Sequence, residues 1–157
     1  MAGYALGGGC ELAMMCDFIL AADSARFGQP EIKLGFLPPY AAIRLPYLVG
    51  PSKAMEICTT GKRYSAQEAQ QMGMVAYVVE DDQLAEATEK LVKEIQYNSP
   101  LIIRLNKQAV KKHLGMEFPQ AIQSVSDLFL NTLMKTEDVL EGIKSFEEKR
   151  KPVWKNK

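Results

Sequence analysis

The sequence predicts a mixed α/β (α+β) chain, in which short strands and helices alternate over residues 1–80 and helices alone fill residues 81–157. Two observations lead to this prediction. Short apolar or β-branched runs at 18–22 and 75–79 are typical of strands, and segments rich in helix formers separate them. After Asp81 the apolar residues recur at helical spacing almost to the C-terminus. A length of 157 residues with 47% apolar composition is sufficient for a hydrophobic core.

The first half shows clear start and stop signals for its helices. The predicted elements are a glycine turn at 3–9, a helix at 10–17, a strand at 18–22, an extended piece at 27–29, an irregular proline-bracketed segment at 30–39, helices at 41–49, 52–60 and 65–72, and a strand at 75–79. Gly50 and Gly61 are expected to end the helices that precede them. Ser65 and Glu68 form a capping-box pattern at the start of the next helix. Apolar residues nearly all round the 10–17 helix predict that it is buried.

The second half is predicted to contain four helices. They cover 83–97, 101–114, 118–134 and 138–149. Ser99 followed by Pro100 is a cap with a first-turn proline, and Thr136 is a plausible cap for the last helix. Two or three short strands cannot form a self-sufficient sheet, so the strands of the first half are expected to need partners from outside this chain. An opening directly into a glycine run favours an internal or artificial start.

The charge balance argues against some classes of partner. With 19 basic and 19 acidic residues the formal net charge is zero, which argues against broad binding to nucleic acid or anionic membrane and leaves binding through a local patch as the alternative. Residues 148–157 hold five Lys or Arg and one acid, so this tail is either solvated or able to contact a phosphate. Cys10, Cys16 and Cys58 have neither zinc-site nor disulfide-framework spacing, which indicates buried thiols in a reducing cytoplasm. No apolar run reaches membrane-spanning length.

The glycine run and the acid that follows it form the first candidate site. Gly7, Gly8 and Gly9 let the backbone approach a ligand closely, and the helix they lead into has free amides at its N-terminus. Such a terminus can hold an anion or a developing oxyanion. Glu11 lies one turn into this mostly apolar helix, where burial of a carboxylate is costly. It is either a functional group or a capping residue paired with the helix dipole.

Glu31 is the second candidate. It lies 20 residues after Glu11, beyond a predicted strand, and a strand that returns along the helix can bring the two carboxylates together. Neighbouring carboxylates titrate as a coupled pair, in which one can keep a proton near neutral pH. Such a pair would supply the acid and the base that water addition needs. The alternative is that the two acids are unrelated.

Several motifs in register resemble those of the enoyl-CoA hydratase (crotonase) family. Residues 2–13, Ala-Gly-Tyr-Ala-Leu-Gly-Gly-Gly-Cys-Glu-Leu-Ala, resemble its active-site motif, and residues 27–32, Phe-Gly-Gln-Pro-Glu-Ile, resemble its second motif. The match continues in order through Arg44-Leu45-Pro46 and Gly73-Met74-Val75 to Glu141-Gly142 and Glu148-Lys149-Arg150-Lys151-Pro152. The resemblance spans essentially the whole chain and implies the C-terminal part of such a protein only.

The resemblance implies a fold, a substrate and a mechanism. Residues 1–80 would be the C-terminal part of a core of stacked β-β-α turns, incomplete here, and residues 81–157 a helical trimerisation region in a homotrimer or hexamer. The substrate class would be an acyl-coenzyme A thioester, with no separate cofactor and no metal. The backbone N–H of Gly8 would be one of two donors to the thioester oxygen, the other lying in an N-terminal segment missing from this chain. Glu11 would position and deprotonate the water, and Glu31 would protonate the α-carbon.

The same resemblance assigns substrate-binding positions to Gly7, Pro39, Tyr40 and Lys149, the last toward a coenzyme A phosphate. Family hydratases commonly have glycine where this chain has Pro39, which has no N–H to donate. This departure leaves open an isomerase or another enolate-forming activity. The alternative is a loop variation without functional effect, in which another donor lies nearby.

A third possibility is a helical assembly module, and the isolated chain is expected to be inactive. His113 is expected to be a cation at a helix C-terminus.

Overall fold

The computed structural model describes residues 1–157 and contains five short strands and eight α-helices. The strands are β1 (Tyr4–Leu6), β2 (Leu20–Ala22), β3 (Arg26–Gly28), β4 (Arg63–Ser65) and β5 (Tyr77–Val79). The helices are α1 (Gly8–Met15), α2 (Pro39–Val49), α3 (Pro51–Thr60), α4 (Ala66–Gln71), α5 (Leu84–Gln96), α6 (Pro100–Lys112), α7 (Phe118–Asn131) and α8 (Glu137–Glu147). Short 3-10 helices cover Pro30–Leu34, Asp81–Gln83 and Leu133–Lys135. The predicted mixed α/β class is confirmed, and helix predominates.

The chain forms two compact units, Met1–Glu89 and Lys90–Lys157, which divide inside α5. All five strands belong to the first unit. The trimerisation role expected of residues 81–157 stays a prediction.

The strands form two small sheets. In the first, β1 pairs in parallel with β3, and β3 pairs antiparallel with β4. In the second, β2 pairs in parallel with β5. The expectation of two or three strands was wrong, because β1 and β4 were not predicted. β1 lies inside the predicted glycine turn. Pairing with β3 and burial of Ala5 stabilise its extended conformation there, despite the high local glycine content.

The hydrophobic core of the first unit lies between these sheets and the packed helices. Its largest apolar side chains, Phe27, Leu45 and Ile57, are fully buried. The fully buried residues of helix α1 are Cys10 and Met14, which are four residues apart and so lie on one face. The prediction that α1 is buried all round was therefore wrong; its opposite side is exposed.

Asp138, at the start of α8, organises the second unit. Its carboxylate is 1% exposed and accepts hydrogen bonds from the Ser99 hydroxyl and from the backbone N–H groups of Lys155 (2.7 Å) and Asn156 (3.1 Å). Burial opposes ionisation of Asp138, but these donors outweigh it and hold the pKa of the carboxyl below its usual range. The C-terminal segment is thereby fixed to the start of α8. The Trp154 indole adds to this by donating to the backbone oxygen of Tyr97 at 2.7 Å.

Helices α7 and α8 expose many large apolar side chains. These are Phe118, Ile122, Phe129, Leu130, Leu140, Ile143 and Phe146. No helix of the chain combines the length and the apolar character needed to cross a membrane.

Candidate active site

Parallel pairing of β1 with β3 brings two loops to the same end of the sheet. The register pairs Leu6 with Gly28, the last residue of each strand. The residue after β1, Gly7, donates its N–H to the Gly28 oxygen at 2.9 Å and continues this ladder. Because parallel strands end on the same side, the α1 segment that carries Glu11 and the 3-10 helix that carries Glu31 start beside each other.

Gly7 makes the tight turn from β1 into α1. Its φ of +56° is in the left-handed region, which glycine adopts without steric penalty. Its carbonyl accepts the N–H of Glu11 at 3.0 Å, the first bond of the helix. The first-turn amides, which include Gly8, have no intrahelical acceptor, and Gly8 is exposed. An exposed N–H at a helix N-terminus is suited to binding a carbonyl oxygen that gains negative charge.

The Glu11 carboxylate is held by the start of α2. Its Oε1 accepts the backbone N–H groups of Tyr40 and Ala41, each at 2.9 Å. These are the second and third residues of α2, whose amides are free at a helix N-terminus, where the dipole favours an anion. Pro39 occupies the first helical position, where a missing N–H costs no helical bond. The Pro39 departure therefore leaves Glu11 with two backbone donors.

The Glu31 carboxylate lies directly against the Gly7 turn. A methyl group added at Gly7 would collide with Glu31 Oε1, so the glycine makes room for this side chain. Gln29 is fully buried, and its side-chain amide donates to Glu31 Oε2 at 3.1 Å and Oε1 at 3.3 Å in the orientation that satisfies both groups. Sequence reasoning missed Gln29. The available signal was a polar side chain two residues before Glu31, adjoining a strand that is otherwise buried.

The pKa values of two neighbouring thiols, Cys10 and Cys58, are raised above their usual range. Burial raises the pKa of Cys10 to about 11; the negative charges of Glu31 and Glu11 add to this effect, while a backbone hydrogen bond from Gly28 opposes it. Burial also raises the pKa of Cys58, again with contributions from Glu31 and Glu11. Gly7 joins the two acids in space, because its carbonyl accepts the Glu11 N–H and the Glu31 carboxylate lies against its Cα.

The other predicted site residues are placed as follows. Tyr40 is half-buried against the core, whereas Pro39 is exposed. Lys149 belongs to the second unit, just after α8, where it is exposed with a left-handed φ of +51°. His113 is the C-cap residue of α6, with Nδ1 2.5 Å from the Ala109 carbonyl oxygen. The functional roles predicted for these residues, and for Gly7, Gly8, Glu11 and Glu31, stay predictions.

The chain is similar in sequence to one family of known proteins. A family model described as enoyl-CoA hydratase/isomerase matches residues 1–157. The chain is 44% identical over 156 residues to a probable mitochondrial enoyl-CoA hydratase of Dictyostelium discoideum, covering 99% of this chain and 56% of that protein. It is 45% identical over 145 residues to a short-chain-enoyl-CoA hydratase of Clostridioides difficile, covering 92% of each.

Solved structures match with similar coverage. An enoyl-CoA hydratase from Bacillus anthracis superposes with a TM-score of 0.94 at 38% identity, covering 99% of this chain and 60% of that one. An enoyl-CoA hydratase subunit from Geobacillus kaustophilus superposes with a TM-score of 0.93 at 42% identity, again covering 99% of this chain and 60% of that one. The chain thus spans little more than half the length of most of the proteins it resembles.

Proposed function

The chain belongs to the enoyl-CoA hydratase/isomerase family, and from this premise we propose that it carries the acid–base groups for adding water to an α,β-unsaturated acyl-CoA thioester. The observation that carries the proposal is the placement of Glu11 and Glu31 around the Gly7 turn, beside the free amide of Gly8. General acid–base catalysis needs one group to take a proton and another to give one within reach of the same substrate.

In the proposed reaction the thioester oxygen accepts the Gly8 N–H and gains negative charge as the enolate forms. Glu11 Oε1 is occupied by the two α2 amides, which leaves Oε2 to orient a water molecule and take its proton. The water oxygen bonds to the β-carbon, and the electron pair of the double bond moves toward the thioester. Glu31 then delivers a proton to the α-carbon, which completes the addition.

An enoyl-CoA isomerase activity is the second candidate, favoured by Pro39. With no N–H at this position, one donor that could hold a water molecule is absent. Double-bond migration needs proton transfer but no water, so Glu31 alone could serve it. Turnover of crotonyl-CoA compared with that of a 3-enoyl-CoA separates the two activities.

We also propose that the chain corresponds to the C-terminal part of such an enzyme. It spans 56% of the Dictyostelium protein, and a second donor to the thioester oxygen would come from a segment outside it. We therefore expect negligible hydration by the isolated chain and no requirement for a separate cofactor. The exposed apolar faces of α7 and α8 support self-association as a homotrimer or hexamer, which light scattering after size exclusion would measure. Contact of Lys149 with a coenzyme A phosphate and a cytoplasmic location are further proposals.

A chimera provides the direct test. This chain would replace the matching 156 residues of the Dictyostelium protein, with which it is 44% identical, and hydration of crotonyl-CoA would be assayed. We expect hydration by the chimera, and a loss of about 10²–10⁴-fold in kcat for Glu11→Gln or Glu31→Gln. Glu86→Gln, an exposed acid on α5, is the matched control. A folded chimera that hydrates at the control rate with either acid replaced would refute the proposed roles.

A further inference from the structure

Gln29 is a fully buried polar side chain in contact with the proposed acid, Glu31. It follows β3 directly and precedes Pro30, the first residue of the 3-10 helix that carries Glu31. A proline disfavours helical backbone at the residue before it, and Gln29 is accordingly non-helical, with φ −122° and ψ 80°. The φ of Pro30 is fixed by its ring, so the backbone between the two side chains is restrained on both sides.

The surroundings of the Gln29 amide fix which of its ends faces Glu31. One end lies 3.1 Å from Glu31 Oε2 and 3.3 Å from Glu31 Oε1, and the other end faces only hydrogen-bond donors. Because donors need an acceptor, the amide oxygen belongs at that other end, and the amide nitrogen is directed toward Glu31. This orientation holds whether Glu31 is protonated or ionised, since it is set by the donors on the far side.

The orientation decides where the proton of a neutral Glu31 can point. An amide nitrogen donates hydrogen bonds and does not accept them. A protonated Glu31 can therefore accept from Gln29 through its carbonyl oxygen, but its O–H finds no acceptor in this partner. An amide oxygen in the same place would instead bind the proton in an O–H···O hydrogen bond and withhold it from a substrate.

We infer that Gln29 is a positioning residue, which keeps the Glu31 proton available to the α-carbon and then stabilises the carboxylate that remains. The inference rests on the proposed function for the destination of the proton, but not for the hydrogen bond itself. In this step the Glu31 O–H bond breaks, the enolate electron pair forms a C–H bond at the α-carbon, and Glu31 is left negative. Hydrogen bonds to an ionised acceptor are about twice as strong as those to a neutral one, so the bond from Gln29 strengthens as the proton leaves.

Hydrogen exchange of side-chain amides tests the contact without requiring catalysis. In the isotope-labelled 157-residue chain, the Gln29 amide protons are identified by their absence in Gln29→Met, and NMR measures their exchange rate. We expect exchange to be at least about tenfold slower than at Gln71, which is exposed at the end of α4, and to become faster in Glu31→Met. Exchange as fast as that of Gln71, or a rate that Glu31→Met leaves unchanged, would overturn the inference.

Kinetics of the chimera with the Dictyostelium protein test the role in the reaction. Gln29→Met keeps a side chain of similar length but removes the donor. We expect kcat for crotonyl-CoA to fall about 10- to 100-fold, with KM nearly unchanged, because the lost hydrogen bond is strongest after substrate has bound. Gln71→Met is the matched control and should change neither constant. A folded Gln29→Met chimera with the parental kcat would refute the positioning role.

Gln29→Glu separates placement of the proton from packing. The carboxyl group has nearly the shape of the amide, but it can accept the Glu31 proton. Two carboxyl groups about 3 Å apart share one proton near neutral pH, so the acid is withheld until both are protonated. The ratio of the Gln29→Glu kcat to the parental kcat should therefore rise several-fold as the pH falls from about 8 to about 5, with no such rise for Gln71→Glu. A ratio that does not change with pH would contradict the inference.

Failure of the hydratase proposal and failure of this inference give different results. A parent chimera that does not hydrate crotonyl-CoA would refute the proposed function, while amide exchange in the 157-residue chain would still decide whether Gln29 holds Glu31. A parent chimera that hydrates, together with a normal kcat in Gln29→Met, would refute the inference alone.

Discussion

Replacement of Gly7 by alanine should disturb the site more than the same change at another left-handed glycine. Gly7 has a φ of +56°, and an added methyl group would collide with Glu31 Oε1. Gly3 has a φ of +68°, and nothing lies within 4 Å of a methyl group added there. Gly3→Ala is therefore a matched control that carries the backbone penalty without the collision.

The two costs can be separated in magnitude. A positive φ at a non-glycine residue costs about 1–3 kcal/mol, which applies to both variants. Displacing the end of the Glu31 side chain, which Gln29 holds, adds about 0.5–1.5 kcal/mol, which applies to Gly7→Ala only. We expect Gly7→Ala to lower the free energy of unfolding by about 1.5–4.5 kcal/mol and Gly3→Ala by about 1–3 kcal/mol. Urea denaturation followed by circular dichroism measures both values.

A double-mutant cycle identifies the cause of the difference. In a Glu31→Ala background the collision partner is absent, so the cost of Gly7→Ala should fall by about 0.5–1.5 kcal/mol. Equal costs for the two glycines in the parent chain, or a Gly7 cost that is unchanged by Glu31→Ala, would refute the packing of Glu31 against this turn.

Three further predictions concern stability. Asp138→Asn leaves the three donors to this buried carboxylate poorly satisfied, so it should lower the free energy of unfolding by about 2–4 kcal/mol. Asp127→Asn, at an exposed position, should lower it by less than about 0.5 kcal/mol, and thermal unfolding measures both values. The pKa of Cys10 is raised from 9.0 to about 11, so the native chain keeps a proton that the unfolded chain loses. The free energy of unfolding should therefore fall by about 2 kcal/mol between pH 9 and pH 11, and Cys10→Ala should abolish this component. Phe27→Ala should cost about 3–5 kcal/mol, while Phe18→Ala at an exposed position should cost less than about 1 kcal/mol; similar denaturation midpoints for the two would contradict the assigned core.

Elements with strong local signals were predictable from the sequence. The α4 capping box forms as expected, with Ser65 Oγ accepting the Glu68 N–H at 3.2 Å and the Glu68 carboxylate accepting the Ser65 N–H at 2.7 Å. Ser99 and Thr136 likewise cap α6 and α8. These signals are local, because the donor and the acceptor lie within three residues of each other.

Features that depend on distant partners were not predictable in the same way. β1 and β4 have three residues each and owe their conformation to pairing with β3 rather than to their own composition. The two amides that hold Glu11 come from residues 29 and 30 positions away, and nothing near Glu11 in the sequence indicates them. The glycine run and the two acids identified the candidate site, but the hydrogen-bonding partners of the acids required the fold.

The most direct test of the central claim is the hydration rate of the chimera with both acids replaced. If Glu11 and Glu31 act on one substrate as a unit, the Glu11→Gln, Glu31→Gln double variant should lose little more in kcat than the more damaged single variant. Multiplication of the two single losses would instead indicate independent contributions. Hydration by the double variant at the parental rate would contradict the assignment of this site.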